Sequence, residues 1–470
     1  VEPFVLVART IDVDKKTLKT NPPILEVEGY IESRRVTSDG TLYVVVDGLV
    51  FNITETTEIP DDIFQKALRI EDDEEDRPDR QFVLFDRLII GGEVQADFEY
   101  KDDYDLDKHA NEDTFIVDTS ATIEGLFRIA GRSHLFARAR TAKPYVIFDE
   151  DRDLHLVERT ALDELYAYWD QVFGLPLALQ VGRQDFDEER EWIYDENLDA
   201  ARLFLDLGRL EVEYSWSTYL ADTPRAKGNL FNQILMARWR YSGRSYFAAY
   251  VVDVQDHSRF KVSPFFVGFR VYGRSKEMRY WIDYAYLDGV SGTTKLEGHG
   301  LDLGFAYQWR KLPLQPYAFV GYAMGTGDGK ASGRTDRAFR QTGYHDNNDK
   351  TFGVASYRYY GELLRPELSN LEIGTVGVGV RPHDSTSVDV IFHWYNQRHR
   401  SSTLRDSSLR ASPSGLDTDI GNEIDVVVGV DDLWGRVDIE LDFGYFTPGD
   451  AFLTDDHPAL WTAVQLEWTF

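Results

Sequence analysis

The connections of this chain constrain its fold more than its strands do. From residue 82 onward, 18 segments alternate apolar and polar side chains, the period of a pleated strand. They fall at approximately 82–100, 114–131, 134–147, 156–170, 176–186, 197–207, 209–220, 232–242 and 244–254. The series continues at 263–274, 278–290, 299–309, 313–327, 368–382, 386–398, 422–433, 435–449 and 461–470. Every odd connection is long and polar, as in KDDYDLDKHANED (101–113), DEEREWIYDE (187–196) and the stretch 328–367. The even ones are tight, and Gly131–Ser133, Gly208, Gly243, Gly273–Glu277, Arg310–Lys311, His383–Ser385 and Leu433–Trp434 sit in them. A soluble sandwich has no reason to sort its loops by parity. A transmembrane barrel does, with short periplasmic turns at one end and long extracellular loops at the other.

Composition agrees with that reading. Hydrophobic residues make up 43% of the 470 and mean hydropathy is −0.39, with no apolar run long enough for a membrane-spanning helix. Barrel strands escape that limit, because only every second residue faces lipid. Aromatic residues reach 14%, enough for girdles at both interfaces. With no cysteine, the chain has no disulfide framework and no thiol chemistry. A net charge of −30 disfavours nonspecific binding of nucleic acid. No secretory leader stands at Val1, so a mature or a cytoplasmic chain is expected.

The final strand, WTAVQLEWTF, sets Val464, Leu466, Trp468 and Phe470 on one face and ends on an aromatic residue. That ending resembles the signal by which outer-membrane barrels are handed to their assembly machinery. In 435–449, Val437, Ile439, Leu441, Phe443 and Tyr445 share one face, and Asp438, Glu440 and Asp442 the other. If the apolar faces meet lipid, the charged faces line a lumen, and 18 strands enclose one wide enough for water. Parity then predicts a basic wall of Arg128, Arg138, Arg140, Arg202, Arg238, Arg240 and Arg270. Opposite it stands an acidic wall of Asp389, Glu423, Asp425, Asp438, Glu440, Asp442, Glu467, Glu93 and Asp97. Guanidinium groups spaced along a wet channel could pass an anionic polymer from site to site, and mutual ion pairing is the alternative.

Ahead of the barrel lies a small β-rich unit, residues 1–70, with strands expected at Ile24–Ser33, Thr41–Val46 and Leu49–Thr54 and a short helix at Pro60–Ile70. Its order suggests an OB-like barrel that serves as a periplasmic module or plug. An acidic linker, EDDEEDRPDR (71–80), joins it to the barrel, 81–470.

Several blocks carry a family resemblance. Val181-Gly-Arg-Gln184, Glu191-Trp192 and Asp195–Ala200 come first, then Gly321–Gly327 and Phe339-Arg-Gln-Thr-Gly343. Gly361–Leu371 (GELLRPELSNL), Ile420–Val428 and Phe446–Ala451 follow. In this order they resemble the alginate-export outer-membrane barrels. That resemblance implies an 18-stranded export channel for a polyuronate, and it carries a pore role over to Arg183 and Arg365. The chain departs from the family in four places: Asp185 replaces a second arginine, and the arginine expected near Trp461 is absent. The last periplasmic turn has shrunk to Asp431–Trp434, and residues 1–80 have no counterpart.

The expectation is therefore an all-β, 18-stranded antiparallel barrel of the bacterial outer membrane that passively exports an anionic, alginate-like exopolysaccharide. Its partners would be lipid, the polymer, the barrel-assembly machinery and a periplasmic protein met by residues 1–80. A porin for small molecules and the barrel of a secretion machine are the alternatives. No nucleophile–base pair points to an enzyme, and no metal or cofactor is expected, although Tyr344–Asp349 and Asp185–Asp199 are rich enough in oxygen for loop Ca²⁺.

Overall fold

The computed structural model describes residues 31–36, 42–46, 49–53, 82–84, 87–107, 113–149, 158–220, 230–242, 244–258, 261–329, 333–453 and 457–470. They fall into two units, 1–77 and 78–470. In the first, β1 (Ile31–Val36), β2 (Leu42–Val46) and β3 (Leu49–Ile53) make an antiparallel sheet in chain order. The expected helix at Pro60–Ile70, the linker and any OB-like closure lie outside the described residues.

The second unit is a closed barrel of 18 long antiparallel strands. They begin with β5 (Leu88–Asp102), β6 (Thr114–Ala130), β7 (Ser133–Asp149), β8 (Arg159–Trp169), β9 (Leu177–Phe186) and β10 (Glu196–Asp206). Next come β11 (Leu210–Thr218), β12 (Leu230–Ser242), β13 (Ser245–Asp256), β14 (Val262–Arg274), β15 (Met278–Ser291), β16 (Thr294–Gln308) and β17 (Tyr317–Gly325). Between β17 and the next long strand, the chain makes only two-residue pairings: β18 (Thr335–Asp336), β19 (Asn348–Asp349) and β20 (Tyr357–Arg358). The wall resumes with β21 (Leu371–His383), β22 (Thr386–Gln397), β23 (Asp419–Leu433), β24 (Val437–Pro448) and β25 (Ala459–Thr469), which pairs with β5. Each strand lies near its predicted position, because a period of two repeated 18 times leaves little freedom of register.

The first strand is the exception. Residues 82–100 do not run as one strand: β4 (Phe82–Leu84) folds back on β5, pairing Phe82 with Ile90 and Leu84 with Leu88. The reason lies at the seam, where Phe470, just past β25, is hydrogen-bonded both ways to Gly92. The foot of β5 would otherwise present unpaired backbone groups, and β4 pairs with them. Gly92 is required there, since a Cβ would stand 2.6 Å from the Phe470 ring.

Side chains alternate across the wall as expected. Val390, Phe392 and Trp394 are exposed on the outside, whereas Asp389, Ile391 and His393 are buried within. The interior is not an open, water-filled cylinder. Segment 187–195, and above all the described residues of segment 326–370, fold inward from the long-loop end against β12–β17, β22 and β23. The second reaches almost to the short-turn end, where Phe352 packs on Tyr317 and the Val354 N–H donates to Ser387 Oγ at 2.9 Å. Gly429 makes room for it, since a Cβ there would meet the Ala355 nitrogen at 2.8 Å.

Candidate conduction pathway

The predicted site residues separate into those still open to the lumen and those the inward segments cover. Asp438, Glu440, Asp442, Glu467, Glu93, Asp97, Arg128, Arg138 and Arg140 are all half-buried on β24, β25 and β5–β7. Together with Asp118 and Glu124 of β6, they form a polar face, acidic except where Arg128, Arg138 and Arg140 stand and interrupted near the short-turn end by the buried cluster of Ile89, Leu126, Phe136 and Tyr166. Among the described residues, this is the side of the lumen that the inward segments leave clear.

Arg270, Asp389, Glu423 and Asp425 also turn inward, but they are at most 2% exposed. For these the expectation of a wetted pore lining is corrected: they fasten the inward segments. Glu423 accepts the N–H groups of Leu363 at 2.6 Å and Leu364 at 3.1 Å, and the Tyr395 hydroxyl at 3.0 Å. Asp425 lies 3.3 Å from His393 Nε2, and Asp389 accepts from the Tyr317 hydroxyl at 2.6 Å.

The separate arginine wall is likewise replaced by local pairing. Arg138 bridges Glu124 at 2.9 Å and Glu164 at 2.7 Å, and Arg140 donates to Ser120 at 3.1 Å. Arg202 holds Glu213 at 2.9 Å, Arg240 holds Glu211 at 3.1 Å, and Arg238 reaches Glu189 at 3.7 Å. Arg183 donates to the Asp163 carbonyl at 3.0 Å and stands 3.7 Å from Asp199. Arg365 has left-handed backbone, φ 48°, and lies 3.6 Å from Glu362 and 4.6 Å over the Trp461 ring. Neighbouring strands supply both signs at one height, so charges pair before they can separate into walls.

A buried ionic centre escaped the sequence reading. Arg190, 2% exposed, reaches Asp283 at 3.5 Å, Asp302 at 3.2 Å and Asp349 at 3.3 Å, with its guanidinium between the Trp281 and Tyr359 rings. Arg270 pairs with Glu188 and Asp283, and Arg279 with Asp349. Asp302 could be found by strand parity. Glu188 and Arg190 could not, because a loop carries no period.

The structure also explains why two motif blocks occur together. Gln341 of the FRQTG block donates its backbone N–H to Glu367 at 2.7 Å and accepts the Leu368 N–H at 3.0 Å, joining it to the RPELSN block. Its amide also donates to the Trp192 carbonyl at 3.1 Å, which ties both inward segments into one body. Beside this junction Glu191, Asp195 and Asp346 bring carboxylate oxygens within 4.8 Å of one another, from the two loops read as oxygen-rich. Such a trio could ligate a hard cation. Burial, then the neighbouring Asp195, pushes the Glu191 carboxyl up to about 9. Burial, then Asp185 and Asp346, pushes Asp195 up to about 7.

With this geometry in place, comparison with known proteins is informative. The alginate export profile matches residues 86–460, nearly the whole barrel. The chain belongs to the alginate export family. A curated member, the alginate production protein AlgE of Pseudomonas aeruginosa, is 28% identical over 179 residues, covering 33% of this chain and 34% of AlgE. The chain thus spans about a third of that relative's length in the match. Among solved structures, OccK2 (OpdF) of P. aeruginosa superposes with a TM-score of 0.55 at 7% identity, covering 82% of this chain and 97% of that one. OpdK with vanillate, from the same organism, gives 0.52 at 10% identity over 81% and 98%. At such identities these structures establish the fold. Family and fold together place the chain among the outer-membrane β-barrels.

Proposed function

We propose that the channel passively conducts an anionic exopolysaccharide, an alginate-like polyuronate, out of the cell. The observation that carries this reading is the family match across the barrel, together with one lumenal face left clear beside the inward segments. Arg128, Arg138 and Arg140 on that face, and Arg365 at its edge, offer guanidinium groups that fork onto carboxylates. The surrounding acids keep each contact weak, and a conducting path needs weak, repeated sites. Lipid and the polymer are then its immediate partners, and β25, the strand that closes the barrel on β5, is the part offered to the assembly machinery.

The test is production of the chain in an alginate-secreting bacterium that lacks its own exporter. Restored secretion, with current block by oligouronates in planar bilayers, is the expected result. Passage of small neutral sugars at rates set by size alone, without block by oligouronates, would establish a general porin instead. Residues 1–70 we assign to the periplasm, as plug or docking module. Deleting residues 1–78 should raise single-channel conductance if they plug the pore, whereas lost secretion at unchanged conductance marks a docking role.

A further inference from the structure

The extracellular end of the clear face is roofed. The turn Asp103–Leu106 after β5 meets the segment Leu404–Ala411, which lies in the loop after β22. The Tyr104 carbonyl accepts N–H groups from Arg410 at 2.9 Å and Ala411 at 3.3 Å. Leu404–Ala411 is hooked in turn to the inward segment: Ser408 N–H donates to the Leu364 carbonyl at 2.9 Å, and Glu367 N–H to the Arg405 carbonyl at 3.0 Å. The Arg405 guanidinium closes the hook on Glu367 at 2.6 Å. Beneath the roof, Arg365 covers Trp461, whose indole N–H donates to Glu99 at 2.9 Å.

We infer that Leu404–Ala411 and Asp103–Leu106 form an exit lid, and that a carboxylate-bearing saccharide is the ligand that unhooks it. The choice of ligand rests on the export of a polyuronate; the lid itself does not. Two joints of unequal strength set the order of opening. The inward segment is fixed to the wall through Asp349, which pairs with the buried Arg279 of β15 and with Arg190, and through Glu423, which accepts its Leu363 and Leu364 N–H groups; separating such buried charges strands them away from water. The roof hangs on backbone hydrogen bonds and one ion pair; its cation is 42% exposed and regains water on opening, while the buried Glu367 keeps the Gln341 N–H as a partner, so the roof yields first. A uronate carboxylate competes with Glu367 for the Arg405 fork, and Arg365 and Trp461 below offer the next unit a guanidinium and a ring face. A neutral sugar has no group to compete with Glu367.

The full chain contains no cysteine, so a Leu364→Cys/Ser408→Cys pair can be oxidised selectively. In planar bilayers, the oxidised protein should lose the larger open level, with reductant restoring it. Arg405→Ala should stay open without added saccharide and should no longer respond to oligouronates. Shifted mobility of unheated samples in detergent gels confirms that each variant is a closed barrel. Equal conductance of oxidised and reduced protein would overturn the lid. Opening by neutral oligosaccharides as readily as by oligouronates would overturn the choice of ligand while leaving the lid in place. Failed secretion with intact gating would count against polyuronate export alone.

Discussion

Arg190 holds more of the interior together than any arginine that strand parity singled out. It is enclosed by three carboxylates and two rings, so its removal strands Asp283, Asp302 and Asp349 in a buried site. Arg190→Met should cost about 3–5 kcal/mol, the scale for breaking a buried pair from one side. A lowered unfolding temperature and new protease cleavage within 328–367 would show it; an unchanged digestion pattern would refute it. The junction of Glu191 with Asp195 has the opposite logic, because like charges crowd there. Their ordinary values are 4.5 and 3.8, and in the fold they titrate near 9 and 7. The stability gained from the neutral forms is therefore whole below about pH 4 and is lost as pH rises through 7 and then 9. Protease resistance of the junction should fall across that window, and Glu191→Gln with Asp195→Asn should flatten the dependence. Residues on strands, such as Arg138 and Asp389, could be assigned to a face from the sequence, because parity is a property of the backbone. What covers them depends on loops, and that part of the site stayed hidden.

Among the elements, the segment 326–370 departs furthest from what its composition suggests. Its charges and glycines read as a solvated loop, yet Leu363, Leu364 and Leu368 are fully buried. These leucines sit one or two residues from Glu362 or Glu367, so no long apolar run announces the burial. The strand glycines facing it were equally silent, since a missing side chain shows its purpose only when something fills the space. Gly429→Leu tests that fit directly. The new side chain would meet Val354 and Ala355, and overpacking of this kind costs about 1–3 kcal/mol. The segment should then detach from the wall and single-channel conductance should rise; a variant with the parent's conductance would mean that the contact is incidental.

For the whole molecule, closure and strand count were legible because each strand pairs with its neighbour in the chain. Lumenal charge was legible in sign but not in arrangement. The acidic run from β24 through β25 to β5 is present, while most of the opposing arginines are paired or covered. Arg138 and Arg140 border the open face, so Arg138→Glu with Arg140→Glu should move the reversal potential toward cations at low salt. The shift should shrink as salt screens the wall. An unmoved reversal potential would place the ion path elsewhere.

The Gly92–Phe470 seam has a consequence for how such a cylinder is made. Every other wall joint links strands that are consecutive in the chain and can form as a ladder of hairpins, each closing a modest loop. One joint must wait until β25 has been made, and its entropy cost grows only logarithmically with the length spanned. Ring closure is therefore a single late event on a nearly finished sheet, secured by a lap joint in which β4 extends the line of β25 below Phe470. A permuted chain, cut at another tight turn and joined across Phe470 and Leu88, would have to complete the same cylinder without that lap.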